Sequence, residues 1–283
     1  MLNSDDLTLC AGTMMNAPFE THVRAAVAGG FRRISLYPTE YQAARNAGLS
    51  DADMKRMLDD AGLVIADLDP LLNWIPNTSL AGGATDEGSE FFGASEADFY
   101  AIAETLGARS INAALFVAER LDTDTIAEAF GALCDRAADH GLLVHLEYLP
   151  WTQIPNLETA LGIVDLADRN NGGLMVDTWH HFRSHASAES LLAVDGSRII
   201  AVQLNDAPEQ PAEDVIDETL HHRLLPGEGD IDLLDVVRAL NEIGCEAPVG
   251  VEVFSDELAR LDPEELGRRC GESTRAVLAA EGA

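Results

Sequence analysis

Lysine is almost missing from this chain. One lysine, Lys55, stands among 283 residues, and all cations together number 18 against 49 aspartates and glutamates, a net charge of −31. Nucleic-acid phosphates are bound by basic surfaces, so this balance argues against a nucleic-acid partner. It argues equally against an anionic membrane surface. No apolar run approaches the roughly 18 residues of a membrane span. The N-terminus, Met1-Leu2-Asn3-Ser4-Asp5-Asp6, is acidic and lacks the apolar segment of a secretory signal. Four cysteines, Cys10, Cys134, Cys245 and Cys270, form no C-x-x-C pair. Neither a disulfide framework nor a thiolate zinc site is indicated, and a reduced, cytoplasmic location is expected. Linkers and low-complexity stretches are lacking too.

What is present is a packed composition, 47% apolar and 24% charged, with a regular rhythm. Short β-type runs recur at Leu7–Gly12, Phe31–Tyr37, Leu63–Leu68, Ser110–Leu115, Leu142–Tyr148, Gly173–Asp177, Ile199–Asn205 and Val249–Phe254. Between them lie amphipathic stretches such as Thr21–Ala28, Asp51–Ala61, Ser95–Leu106, Thr123–His140, Asn156–Asp168 and Ile231–Ile243. Glycine closes many of these stretches, at Gly29-Gly30, Gly62, Gly107, Gly141, Gly172-Gly173 and Gly244, as expected just past a helix end. Strand-helix repetition admits an open doubly wound sheet or a closed (β/α)8 barrel. Eight near-equal units, and no Gly-x-Gly-x-x-Gly after the first strand, favour a closed α/β barrel spanning 1–283 as one domain.

In such a barrel the chemistry sits at the C-terminal ends of the strands. Polar residues are sparse there in the first half: Asn16, Tyr37, Asp69 and Trp74. In the second half they cluster. Glu147, Asp177, Gln203 and Glu252 each lie in or at the end of an apolar run, and alternation points all four into the barrel mouth. Buried carboxylates are costly unless paired or bound to metal, and three converging carboxylates repel one another. Few basic residues neighbour them in sequence. A divalent cation resolves the conflict, and an all-oxygen set suits Mn²⁺ or Mg²⁺ better than zinc. Against this stands the ordinary role of an acid at a strand end, a helix N-cap.

His180, three residues past Asp177, is a candidate substrate contact or general acid/base. His145 shares the inward face with Glu147 and is a candidate for support. Arg223 precedes the turn Leu224-Leu225-Pro226-Gly227-Glu228-Gly229 and is suited to hold a substrate oxygen. Asp230 is a candidate cap for the helix that follows. Trp151 is a candidate to pack against substrate, with core packing as its alternative.

These pieces resemble the xylose-isomerase-like TIM barrels, the sugar phosphate isomerase/epimerase group. They are the Glu of HLEYLPW, the D-x-x-H of VDTWH, the Gln of VQLNDAP, the R-x-x-P-G-x-G of RLLPGEG and the Glu of VGVEVFS. The resemblance covers most of the chain and is specific from strand five onward. It implies that Glu147, Asp177, Gln203 and Glu252 bind the metal and that His180 and Arg223 meet the substrate. Ketose 3-epimerases commonly carry His where this chain has Gln203. The second half also resembles 3-dehydroshikimate dehydratases.

The common chemistry is proton removal beside a carbonyl, with the metal as Lewis acid and Glu147 and Glu252 as the paired bases. The expected function is a metal-dependent isomerase or epimerase of a keto-sugar or keto-polyol. Two alternatives are a dehydratase of a cyclic keto-polyol and a non-catalytic sugar-binding barrel. A nuclease of the same barrel group is disfavoured by charge. Whether the chain forms a homo-oligomer is left open.

Overall fold

The computed structural model describes residues 1–81 and 93–281. Eight parallel strands close into a barrel in sequence order, with β1 pairing β8. They are β1 (Leu7–Leu9), β2 (Arg33–Leu36), β3 (Val64–Leu71), β4 (Ser110–Ala114), β5 (Leu143–Glu147), β6 (Gly172–Asp177), β7 (Ile199–Leu204) and β8 (Val249–Val251). Helices follow the strands on the outside. No helix among the described residues is long and apolar enough to cross a membrane.

Alternation sorts each strand into two faces. Val144 and Leu146, Leu174 and Val176, and Val202 and Leu204 belong to one hydrophobic core under the helices. Their neighbours therefore face the bore. Barrel bores are usually filled by branched aliphatics; here Thr8, Asp67, Asp69, Asn112, His145 and Glu147 are all buried. Strand register then staggers the second-half residues upward. Glu147 pairs Met175, so Asp177 is the next inward residue of β6. Asp177 pairs Gln203, and Gln203 pairs Gly250, so Glu252 is the next inward residue past β8.

Local signals explain most helix ends. Ser50 with Asp53, and Ser95 with Asp98, form capping boxes for Asp51–Ala61 and Glu96–Leu106. Gly62 and Gly107 close those helices in the left-handed region, at φ 66° and 80°. Three expectations need correction. Gly172-Gly173 does not end a helix. Asp168 takes the left-handed position at φ 51°, and both glycines lie in β6, where a Cβ on Gly173 would fall 2.3 Å from the Arg198 carbonyl. The cap of Leu233–Glu242 is Asp232, which accepts from Asp235 N, while Asp230 instead accepts from Glu209 N. The first and last strands are shorter than expected, because the chain turns into a 3-10 helix at Ala11–Met14 and leaves the sheet after Val251. Helices at Pro38–Asn46, Thr178–Arg183, Val215–His221 and Pro263–Glu281 add to the expected set.

Candidate metal and active site

Glu147 closes β5, Asp177 closes β6, Gln203 is the penultimate residue of β7 and Glu252 is the first residue past β8. All four are buried, as are His180 and Arg223. Asp177 does two jobs. Its Oδ1 accepts from His180 N at 2.9 Å, capping Thr178–Arg183. Its Oδ2 turns to the cluster and accepts from Asn205 Nδ2 at 2.7 Å and Arg223 Nη1 at 2.8 Å. The N-cap role weighed for this residue is filled by Oδ1, and Oδ2 still faces the cluster. Glu147, Asp177 and His180 each bring one ligand-type atom within 4.8 Å of the other two.

One end of the Gln203 amide lies 3.2 Å from Glu252 Oε2 and 3.1 Å from Asp177 Oδ2. With nitrogen at that end, it donates to both carboxylates. With oxygen there, three oxygens converge, and a cation is what reconciles them. Glu252 Oε1 is buried with no hydrogen-bond partner. A Cβ at Gly12 would lie 2.8 Å from that oxygen, so the β1 loop approaches it closely.

Burial, with Asp69 and Asp177 nearby, pushes Glu147 up to about 8. Glu252 is raised by burial and by Asp69. Burial works on Asp177 in the same direction, but Arg223 and the capping contacts hold it below the usual carboxylate range. Burial and then Arg223 push His180 down to about 3, against the pull of Asp177. A neutral imidazole follows, and its Nε2 lies 3.5 Å from Glu147 Oε1.

Few basic residues neighbour the acids in sequence, yet the fold inserts one. Every N–H of Arg223 is engaged inside the protein. Nε donates to Thr219, Nη1 to Asp177 Oδ2 and the Glu252 carbonyl, and Nη2 to Thr219 Oγ1 and His180 Nε2. The guanidinium lies over the Trp179 and Phe254 rings. Arg223 thus acts here as an internal counter-charge, and a substrate oxygen would have to displace one of these partners. Trp151 is half-buried, with its ring edge-on to His180 at 5.4 Å. His145 is fully buried, with neither ring nitrogen partnered, and burial pushes it down to about 3.

Sequence reasoning passed over Asn112, Asn205 and Asp206. Asn112 Nδ2 donates to both Asp69 Oδ1 and Glu147 Oε2 at 2.8 Å. Asn205 holds Asp177, and Asp206 holds the loop that follows Arg223. An amide within a strand carries no chemical signature; only the Asn-Asp pair after VQL marked a spot. Between the loops after β1 and β2 lies a cavity of about 410 Å³, lined by none of the cluster residues. Ala11, Asn16, Tyr37, Thr39 and Glu40 help to line it, and no Lys or Arg does.

A closed parallel barrel with acids, an amide and a neutral imidazole at its strand ends defines a class. Residues 23–272 match the model of the xylose isomerase-like TIM barrel family, and the chain belongs to that family. It is similar to inosose isomerase of Bacillus velezensis, 34% identical over 181 residues that cover 62% of this chain and 64% of that protein. It is also similar to 3-dehydroshikimate dehydratase of Pseudomonas aeruginosa, 33% identical over 132 residues, 46% of this chain and 21% of that protein. The match thus spans less than two thirds of either relative. In structure it resembles the IOLI protein, solved with a binding zinc atom, at a TM-score of 0.84 and 22% identity over 98% of this chain and 99% of that one.

Proposed function

We propose that the chain is a divalent-metal-dependent isomerase or epimerase of a ketose or related keto-polyol, acting by proton abstraction beside a carbonyl. One observation carries this reading. Three buried carboxylates and an amide converge from the ends of β5–β8, and Glu252 Oε1 among them has no partner. The donor set fits a hard cation. Glu147, Asp177, Gln203 and Glu252 would hold the ion, which when bound supplies Lewis-acid polarisation of the substrate's carbonyl and adjacent hydroxyl.

The chain's own residues supply the proton chemistry. Glu147 and Glu252 come from opposite flanks of the cluster and are the two candidates to take and return the proton. Return to the opposite face of the same carbon gives an epimer; return to the neighbouring carbon gives an isomer. His180, held neutral, offers an imidazole to a substrate oxygen while Asp177 and Arg223 fix its backbone and ring. Trp151 walls the imidazole from one side.

The second reading is a dehydratase, which the likeness to the Pseudomonas enzyme favours. Dehydroshikimate carries a carboxylate, however. The donors of Arg223, the cation inside the cluster, are already committed. A neutral keto-polyol needs no such partner.

The test is incubation with Mn²⁺ in D₂O against inososes, ketoses and 3-dehydroshikimate, followed by mass spectrometry. Deuterium should enter a neutral keto-polyol and stop entering after chelation. Full exchange in chelated protein, or turnover of 3-dehydroshikimate alone, sinks the reading.

A further inference from the structure

Of the side-chain amides that border the cluster, Gln203 and Asn112 have opposite surroundings. Gln203 presents to its carboxylates an end whose chemistry depends on a cation. Asn112 does not, because its NH₂ faces both Asp69 Oδ1 and Glu147 Oε2 at 2.8 Å and its Oδ1 is buried without a partner. Turning the amide over would set its oxygen against two carboxylate oxygens, so the network fixes its orientation. The β4–β5 register pairs Asn112 with His145 and Ala114 with Glu147. Asn112 therefore sits one inward layer below Glu147 and reaches up to it.

The two glutamates are thus unequal. Glu147 Oε2 is occupied by an N–H donor, which leaves only Oε1, 3.5 Å from His180 Nε2. Glu252 Oε1 has no donor at all, although Arg223 Nη1 lies 3.8 Å from its Oε2. A carboxylate that ligates through one oxygen needs the other free to act as a base. Glu252 meets that condition fully, whereas at Glu147 the Asn112 N–H lowers the basicity of the second oxygen.

We propose that Asn112 is a positioning residue that caps Glu147 as a ligand and leaves Glu252 as the single base, so that the proton moves on one face of the substrate and the reaction is isomerisation. The inference rests on the proton-abstraction reading above. Glu252 Oε1 takes the proton from the carbon beside the carbonyl, the C–H electron pair forms the C=C bond of an enediolate, and the carbonyl π pair moves onto the carbonyl oxygen. The same Glu252 oxygen returns the proton to the neighbouring carbon, the former carbonyl carbon, while the hydroxyl of the first carbon gives its proton to the former carbonyl oxygen and becomes the new carbonyl. No oxidant or further reactant is needed. Asp69, sharing the same NH₂, holds the amide in place.

The test uses full-length protein titrated with Mn²⁺ and then given a keto-inositol or ketose in D₂O. In Asn112→Leu, Mn²⁺ affinity should fall about 10- to 100-fold, as outer partners of metal ligands typically dictate. The substrate carbon configuration should also loosen, with the epimer-to-isomer ratio rising about tenfold or more, a size within the reach of one acid/base group. Asn112→Ser serves as a second variant in case the first fails to fold, with the same direction expected. Asp67→Asn, in the same bore but outside this network, should leave both readings unchanged. Unchanged Mn²⁺ affinity in both Asn112 variants overturns the positioning role. Wild-type protein that chiefly epimerises, or a product ratio that does not move, overturns the single base. If wild-type protein binds Mn²⁺, responds to Asn112→Leu in affinity, and yet exchanges no substrate, the proton-abstraction reading fails and the single-base step with it, while the Asn112–Glu147 link stands.

Discussion

His180 and Asp67 show how one force, burial, prepares two residues for different ends. His180 is kept neutral beside Asp177 because burial and Arg223 outweigh the aspartate. His180→Ala should spare exchange at the substrate's α-carbon, because the carboxylates remain, and should act on an isomerase mostly through KM. In a dehydratase, where it would help a hydroxyl leave, the same change should lower kcat by about 10²–10⁴-fold, the range of a general acid. Steady-state kinetics with the substrate found in D₂O separates the two. Asp67 has no such task. Burial, then Asp69, raises its carboxyl to about 8, and its Oδ1 has no partner. A carboxyl raised by folding binds its proton more tightly in the native state. Its contribution is therefore fully present below the unfolded pKa of about 4 and is lost as pH rises through about 8. Asp67→Asn removes that loss. Melting curves should show the variant gaining on wild type from pH 5 to pH 9, and a constant difference across that range would contradict the assignment.

Among the elements, the segment after β7 does most to shape the site, and one side chain holds it. Asp206 Oδ1 accepts from Ala207 N and Ile231 N, and Oδ2 from Gly227 N and Gly229 N, all at 2.9–3.0 Å. A Cβ at Gly229 would stand 2.5 Å from Asp206 Oδ1, so only glycine allows the approach. Arg223 hangs from the same segment through the Asp206–Leu224 bridge. Asp206→Ala orphans these donors at about 1–3 kcal/mol each where water cannot reach. A net loss of about 3 kcal/mol is expected, together with faster amide exchange at Gly227, Gly229 and Ile231. Exchange rates that stay at wild-type values would rule out this role. The barrel itself was legible before any coordinates, because eight short runs with glycine-ended helices between them leave few architectures. The inward direction of Glu147, Asp177, Gln203 and Glu252 is expected from alternation and their height from their place at strand ends. Asn112 and Asn205 were not legible, since their meaning lies in partners 28 to 43 residues away. Arg223 was legible as a residue of the active face but not as a counter-charge, because its contact with Asp177 spans 46 positions. The helix Thr178–Arg183 was legible only at its cap: Asp177 fits an N-cap, and its Oδ1, accepting from His180 N, starts that helix.

At the scale of the whole molecule, the net charge of −31 sets the balance. Most exposed acids have no cation to meet, since only 18 exist for 49 carboxylates. Where pairs form at the surface, as between Arg268 and Glu265 or Arg238 and Asp235, each contributes about 0–1 kcal/mol, and salt weakens them. Salt also screens the repulsion among the unpaired carboxylates, over a Debye length that falls from about 10 Å at 0.1 M to about 3 Å at 1 M. Repulsion is spread over far more charges than pairing is, so screening should win. The melting temperature should therefore rise steadily as KCl is raised from low salt toward 1 M. Sulfate stabilises proteins by exclusion from their surface, whatever their charge, so the decisive comparison is between chloride and sulfate at equal ionic strength. If screening is the cause, chloride should deliver most of the gain. A melting temperature that stays flat or falls in KCl while rising in sulfate would mean that the acidic surface is electrostatically neutral for stability and serves only to keep the protein in solution.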